Sequence, residues 1–133
     1  MSDLIQIYTD GACVPNPGRG GWGFVVVEGG YVVFEHYGGE IRTTNNCMEM
    51  TAIIEAMQWI PGGLRAVVYS DSDYCVKVIT GRWKAKKNLG LVKRARKLLR
   101  HTKTELRWIK GHNGNRWNEK ADELAGKGVR LTF

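Results

Sequence analysis

The first strand, residues 4–11, constrains the fold most, because it carries the carboxylate of Asp10 to the end of a buried element. Ile5 and Ile7 are β-branched, and the mix of apolar and polar residues fits a strand near the middle of a sheet. An aspartate costs free energy in a core unless a cation or hydrogen bonds compensate it. Aspartate before glycine also starts turns well, so Asp10 gains meaning only if other acids occupy equivalent positions.

Hydrophobic periodicity and turn residues predict the element order βββαβααβα along the chain. The pair Gly29-Gly30 predicts a tight hairpin between the second and third strands, and Pro61-Gly62-Gly63 ends the first helix. The predicted strands are 4–11, 22–28, 31–37, 66–71 and 105–110. The predicted helices are about 45–59, about 73–80, a helix with its apolar side at 91–99, and a last helix with its apolar stripe at 117–125.

This order predicts an α/β fold in one domain, residues 1–133. Three strands joined by short turns form an antiparallel meander, and strands separated by helices prefer right-handed parallel crossovers. A mixed five-stranded sheet with helices on both faces satisfies both requirements. The first and fourth strands are then central neighbours, which places Asp10 beside Asp71.

Length and cysteine usage narrow the class of protein. A chain of 133 residues with 43% hydrophobic content suits one domain with a real core. The N-terminus shows no signal segment, and no apolar run reaches membrane-spanning length. Cys13, Cys47 and Cys75 lie far apart, which disfavours disulfides and zinc and fits a reducing compartment. We expect a cytoplasmic protein without membrane association, and a monomer.

The formal net charge is +7, and the basic residues are concentrated between positions 82 and 103. Such a block favours a polyanionic partner, because each phosphate that is neutralised releases condensed counterions. A solvated helix face with a solubilising excess of charge is an equal alternative for a basic stretch considered alone.

Four acids share one description, because each lies beside predicted core at an element start or a strand end. They are Asp10, Glu49, Asp71 and Asp122. For Glu49 alone, a favourable interaction with the helix dipole in the first turn is an alternative explanation. Adjacent carboxylates repel unless a cation neutralises them, and an all-oxygen cluster selects Mg²⁺ or Mn²⁺. An acid cluster inside a basic protein indicates phosphodiester chemistry with two metal ions.

Several motifs, in order, resemble type 1 ribonuclease H over nearly the whole chain. They are Tyr8-Thr9-Asp10-Gly11-Ala12-Cys13, Asn16-Pro17-Gly18, Thr43-Thr44-Asn45-Asn46-Cys47-Met48-Glu49, Ser70-Asp71-Ser72, Lys110-Gly111-His112 and Asn118-Glu119-Lys120-Ala121-Asp122. The resemblance implies the strand order 3-2-1-4-5 and cleavage of the RNA strand of RNA–DNA hybrids. It also implies 3′-hydroxyl and 5′-phosphate ends.

The resemblance also implies roles for individual residues in the catalytic centre. The four acids match the family's ligands for two Mg²⁺ ions, with Mn²⁺ as a substitute. His112 matches a loop histidine that assists proton movement or product release, and an imidazole on a glycine-flanked loop suits that role. Without the motif, a surface histidine would be the better interpretation.

The substrate contacts implied by the resemblance fall into two groups. Cys13, Asn16, Asn45 and Asn46 match positions at the minor groove of the hybrid, where amides suit the base edges and 2′-hydroxyls. The two adjacent asparagines would also be explained by helix capping. Arg42 and Thr44 match a pocket for a phosphate of the DNA strand, although Arg42 would equally suit a solvent-facing strand end.

The sequence departs from the family pattern in two places. Asp73 stands where many relatives carry a neutral amide, so that substrate contact is lost or replaced. Segment 82–97 resembles the compact forms that lack an inserted basic helix, which predicts weaker hybrid binding with a steep salt dependence. Trp83, Lys84 and Asn88, together with Lys86 and Lys87, are then candidates for a reduced substrate handle, whereas Trp83 would equally suit the core.

Two other functions remain as alternatives. The same fold and metals occur in DNA-cutting resolvases and integrases, but the amide cluster disfavours a DNA substrate. A hybrid-binding module without catalysis is disfavoured because four intact acids beside phosphates would only weaken binding.

Overall fold

The computed structural model describes residues 4–133 and confirms the predicted order of elements. The strands are β1 (Leu4–Cys13), β2 (Gly18–Glu28), β3 (Tyr31–Thr43), β4 (Arg65–Ser70) and β5 (Lys103–Trp108). The helices are α1 (Asn45–Trp59), α2 (Asp73–Ile79), α3 (Leu89–His101) and α4 (Arg116–Arg130).

The five strands form one mixed sheet in the order β3-β2-β1-β4-β5, as expected. Strands β1, β2 and β3 pair antiparallel, whereas β4 pairs parallel with both β1 and β5. In the β1–β4 register Thr9 lies opposite Ser70. The next residues, Asp10 and Asp71, are therefore neighbours, as the sequence predicted, although β1 continues past Asp10 to Cys13 whereas β4 ends before Asp71.

Helices cover both faces of the sheet. On one face α1, α2 and α3 enclose the larger core, which includes Ile7, Phe24, Ile53 and Val92. On the other face Leu124 of α4 packs with the smaller core around Val25. Burial of this apolar surface is the main stabilising contribution of both layers.

Side-chain hydrogen bonds from capping residues fix the starts of α1 and α2. Thr44 Oγ1 accepts a hydrogen bond from the Cys47 amide at 3.2 Å at the start of α1, and Ser72 caps α2 in the same way. Because α1 begins at Asn45, Glu49 is its fifth residue and lies beyond the first turn. The helix dipole, which acts within that turn, therefore does not explain an acid at this position.

Strands β1, β2 and β3 are longer than the sequence predicts; β1 ends at Cys13, and β2 and β3 gain glycine-rich ends that pack closely. Strand β2 begins at Gly18, not Trp22, and β3 continues through Gly38 to Thr43, not ending at Tyr37. A Cβ atom at Gly21 would overlap the carbonyl oxygen of Ala125, so α4 rests directly on the strand backbone. Strand β5 lies two residues earlier in the chain than predicted, at Lys103–Trp108 and not at 105–110.

The contact between α4 and the sheet gives a test of this packing. We expect Gly128→Ala to lower the free energy of unfolding by about 1–3 kcal/mol, because the added methyl group overlaps the Gly38 carbonyl oxygen. Gly126→Ala lies in the same helix, where a Cβ atom meets nothing closer than the Arg130 guanidinium at 3.7 Å. That control should gain about 0.5–1 kcal/mol from helix propensity, measured by urea unfolding. Equal effects of the two substitutions would contradict the close approach.

The described cysteines, Cys13, Cys47 and Cys75, are all free thiols. Burial raises the pKa of the Cys75 thiol to about 12, so this residue is a packing residue and not a reactive thiol. Across residues 4–133, every helix is too short or too polar to cross a membrane.

Candidate active site

Three of the four predicted acids meet at one edge of the sheet. One carboxylate oxygen from each of Asp10, Glu49 and Asp71 lies within 4.8 Å of the other two. Asp10 and Glu49 are only 6% and 7% exposed, whereas Asp71 is half-buried. Buried carboxylates without a cationic partner are unusual, which distinguishes this group from a solvated acidic patch.

Backbone packing places these side chains. The parallel pairing of β1 with β4 aligns the first and third acids, as described above. A Cβ atom at Gly11 would overlap the Glu49 amide nitrogen, so glycine at this position lets α1 approach β1 closely. The Gly11 amide also donates to Asp10 Oδ1 at 2.9 Å, which orients that carboxylate.

Burial and mutual repulsion perturb the protonation of the group. Burial, and then the charge of Asp71, raise the pKa of Asp10 from 3.8 to about 8. Burial, followed by the charges of Asp10 and Asp71, also raises the pKa of Glu49 well above its usual value. In the protein without bound cations, burial and repulsion therefore favour the protonated form of Asp10 at neutral pH, and they shift Glu49 in the same direction.

The donor set fits hard divalent cations. All three ligand groups are carboxylates, and no histidine or cysteine belongs to the described group. Glu49 Oε1 is buried and, within the described chain, has no hydrogen-bond partner. A divalent cation would satisfy this oxygen and remove the repulsion that keeps the group protonated.

The fourth predicted acid, Asp122, lies at the rim of this group. It is exposed on α4, and its carboxyl group interacts with that of Asp10, which contributes to the raised pKa of Asp10. The sequence predicted an acid beside the apolar stripe, and Ala121 and Ala125 of that stripe are indeed buried. The structure therefore brings three acids into one tight group with the fourth beside it.

His112 lies on an exposed loop next to the acids. The loop approaches Asp71 closely, since a Cβ atom at Gly111 would lie 2.8 Å from Asp71 Oδ2. The His112 backbone has φ of 53°, a conformation that is uncommon for a residue with a side chain. Sequence reasoning missed Trp108, whose indole nitrogen donates to the Asp71 carbonyl at 3.1 Å and holds the end of β4.

The predicted amide cluster surrounds the start of α1. Asn16, Asn45 and Asn46 are exposed. Asn16 Oδ1 accepts a hydrogen bond from the backbone N–H of Asn45 at 3.0 Å. Thr44 caps the helix, as described above, and Arg42 is exposed near the end of β3. These residues form one polar surface next to Glu49.

Cys13 is placed differently from the asparagines. The residue is 6% exposed, and its thiol donates to the carbonyl oxygens of Pro15 and Thr43, each at 3.4 Å. Its side chain therefore links β1 to the end of β3. No sequence signal distinguishes this inward orientation from an outward one.

The predicted handle lies on the connection between α2 and α3. Trp83 is 47% exposed, so the alternative that it belongs to the core is wrong. Lys77 Nζ lies 4.6 Å from the centroid of its ring. Together with Lys84 and Tyr74, Trp83 borders a surface cavity of about 450 Å³. Residues 80–88 contain no helix, as expected for the compact form.

The other two residues of this region are engaged within the protein. Asn88 precedes α3 with φ of 54°, and its Oδ1 accepts a hydrogen bond from the Cys47 thiol at 3.3 Å. Asp73 forms an ion pair with Lys77 at 2.7 Å, one turn later on α2. The departure at Asp73 therefore places a locally neutralised carboxylate near the site.

Comparison with known proteins agrees with this geometry. The family model of RNase H matches residues 2–130. Ribonuclease H of Janthinobacterium sp. (strain Marseille) is 43% identical over 142 residues, which cover 97% of this chain and 98% of that protein. Ribonuclease H of Polaromonas sp. (strain JS666) is 46% identical over 140 residues, covering 94% of this chain and 87% of that protein.

Solved structures share the architecture. RNase H1 from the halophilic archaeon Halobacterium salinarum NRC-1 aligns with a TM-score of 0.84 at 29% identity, covering 96% of this chain and 98% of that chain. LC11-RNase H1, solved in complex with RNA/DNA hybrid, aligns with a TM-score of 0.80 at 24% identity, covering 96% and 97% of the two chains. The second likeness concerns the fold alone.

Proposed function

Because the chain belongs to the ribonuclease H family of metal-dependent nucleases, we propose that it hydrolyses the RNA strand of RNA–DNA hybrids and leaves 3′-hydroxyl and 5′-phosphate ends. The observation that carries the proposal is the buried group of three carboxylates within 4.8 Å of one another in a chain of net charge +7. Acids in such a protein serve to hold cations against a phosphate, since alone they would repel the substrate.

The four acids would hold the cations. Asp10, Glu49 and Asp71 would be the inner ligands, and Asp122 would contribute from the rim. When bound, two Mg²⁺ ions (or Mn²⁺) activate the attacking water and stabilise the leaving 3′-oxygen. The water oxygen bonds to phosphorus as the bond from phosphorus to the 3′-oxygen breaks, which accounts for the proposed ends.

His112 would move protons during this reaction. An imidazole can accept a proton from the attacking water or pass one to the leaving oxygen near neutral pH. The close approach of Gly111 to Asp71 keeps the loop beside the acids, and this supports the role.

The polar surface around α1 would select the hybrid. Asn16, Asn45 and Asn46 would contact base edges and 2′-hydroxyls in the minor groove, which distinguish an RNA strand from DNA. Cys13 would contribute through its backbone, because its thiol is turned inward. Arg42 and Thr44 would hold a phosphate of the DNA strand. Trp83, Lys84 and Asn88 would form the reduced handle.

Substrate preference gives the direct experiment. We expect cleavage of an RNA–DNA hybrid in Mg²⁺, and no cleavage of duplex DNA or duplex RNA, or of the hybrid in chelator. The readout is denaturing electrophoresis of each end-labelled strand, which also identifies the ends produced. Preferred cleavage of duplex DNA would support the resolvase-like alternative. Tight hybrid binding without cleavage in Mg²⁺ or Mn²⁺ would support a binding module.

A further inference from the structure

A stripe of basic residues on the outer face of α3 is not used by the proposed active site. The residues recur at three and four positions along the helix, so they share one side of it, and all are exposed. Val92 and Ala95 on the opposite side are buried. The α3 basic stripe consists of Lys93, Arg94, Lys97, Arg100 and His101.

The net positive charge of the protein comes from the region that contains this stripe. Residues 74–104 hold 11 of the 20 Lys and Arg residues and none of the 13 Asp and Glu residues. The rest of the chain therefore has 9 basic and 13 acidic residues, and its net charge is −4. A solubilising surface would mix the two signs, whereas this distribution forms a single positive region.

The charges of the stripe are not compensated within the protein. In the described part of the chain, no ion pair within 4.0 Å involves a stripe residue. On the elements packed against α3, Glu105 pairs with Arg107 and Asp73 pairs with Lys77. The side-chain amide of Gln58 joins Glu55 to Arg94, because its nitrogen donates to the Glu55 carboxylate and its oxygen accepts from the Arg94 guanidinium.

The helix dipole favours Arg100 and His101 in the last turn of α3, but it does not explain Lys93, Arg94 and Lys97. Like charges one turn apart destabilise a helix by about 0.2–0.5 kcal/mol per pair. Arg96 shows what a structural basic residue does in the same helix, since it donates to the carbonyl oxygens of Val78 at 2.8 Å and Trp83 at 3.4 Å. The stripe residues point away from these contacts, towards solvent.

The stripe continues from the proposed substrate surface. Asn88, which immediately precedes helix α3, contacts Cys47 beside the asparagines of α1. The helix ends at His101, two residues before Lys103, which lies opposite Arg65 in the sheet at the end away from Asp71. Along the way Arg94, Lys97 and His101 line a groove of about 350 Å³ beside Gln58.

We propose that the α3 basic stripe binds the phosphate backbone of the substrate duplex where it extends beyond the active site. The inference rests on the proposed function for the identity of the duplex. From Lys93 to His101 the stripe is about 12 Å long, and a DNA duplex carries about seven phosphates over such a length. The contacts are to phosphates alone, so they strengthen binding without distinguishing RNA from DNA.

The test uses the triple variant Lys93→Gln/Lys97→Gln/Arg100→Gln in the full chain. Binding to a 5′-labelled hybrid of about 20 base pairs, and to duplex DNA of the same sequence, is measured by fluorescence anisotropy in chelator over a range of salt concentrations. We expect both affinities to fall about tenfold or more at low salt, and the slope of log Kd against log salt to decrease by about three. In Mg²⁺, KM for the hybrid should rise while kcat is unchanged.

The matched control removes the same charge elsewhere. Arg65→Gln/Lys127→Gln/Arg130→Gln lies at the start of β4 and on α4, outside the stripe, and should retain the wild-type slope. An unchanged slope in the stripe variant, an equal decrease in the control, or a fall in kcat would overturn the inference. If the wild-type protein fails to cleave hybrids, the proposed function fails, and the anisotropy measurement still tests the stripe.

Discussion

Asp71→Asn is expected to lower the rate of hybrid cleavage by about 100- to 1000-fold while hybrid binding in chelator stays within about twofold of wild type. The reason is that the substitution removes one oxygen from the proposed metal site, and losing one group that stabilises a transition state costs about 100- to 1000-fold even when its partners remain. Binding depends on basic and amide contacts that the substitution leaves in place.

The measurement is single-turnover cleavage of an end-labelled hybrid in Mg²⁺, together with anisotropy in chelator. Asp73→Asn is the matched control, because it makes the same chemical change two residues away, on a carboxylate that is ion-paired with Lys77. We expect the control to retain cleavage, since the Asp73 carboxylate does not belong to the group of three acids. Substantial cleavage by Asp71→Asn would refute the role assigned to the acids.

Asp10→Asn is expected to stabilise the metal-free protein at pH 8 while abolishing cleavage. Burial and the charge of Asp71 raise the pKa of Asp10 from 3.8 to about 8, so the folded state holds a proton that the unfolded state releases. The contribution of Asp10 to stability is therefore greatest below about pH 4 and is lost as the pH rises towards 8. One pKa unit corresponds to about 1.4 kcal/mol, so the destabilisation at pH 8 is of the order of a few kcal/mol.

An asparagine cannot ionise, so the variant avoids this loss of stability. In chelator at pH 8 its Tm should exceed that of wild type by about 5 °C or more, and the difference should vanish near pH 4. Adding Mg²⁺ should raise the Tm of wild type more than that of the variant, because the cation binds the ionised carboxylates of the folded state. A variant no more stable than wild type at pH 8 would contradict the repulsion within the acid group.

The predictions from sequence were most accurate where the signal is local. The Gly29-Gly30 hairpin is confirmed, and both residues adopt the positive φ angles that such turns require. The start of α1 is confirmed because the capping oxygen of Thr44 and the amide that it binds are three residues apart. The neighbouring placement of Asp10 and Asp71 follows from handedness rules for crossovers, which need no contact information.

The predictions failed where distant segments decide the outcome. The extension of β3 past Gly38 lies against α4. The backbone of Gly128 can reach Gly38 only because neither glycine carries a side chain. For Trp83 the sequence left the core and the substrate handle as equal alternatives, and the structure decides between them by leaving the residue exposed. No sequence pattern near residue 38 records the contact between α4 and β3.

The sequence by itself determined the order of the elements, the turns and caps that separate them, and the acids that meet at one edge of the sheet. These features depend on side-chain periodicity and short-range hydrogen bonds, which neighbouring residues encode. Only the tertiary structure decided that Asp122 lies at the rim, that the Cys13 thiol turns inward and that the basic side of α3 faces solvent. Burial and orientation are set by packing between segments far apart in the chain, and no local pattern records how closely two backbones approach.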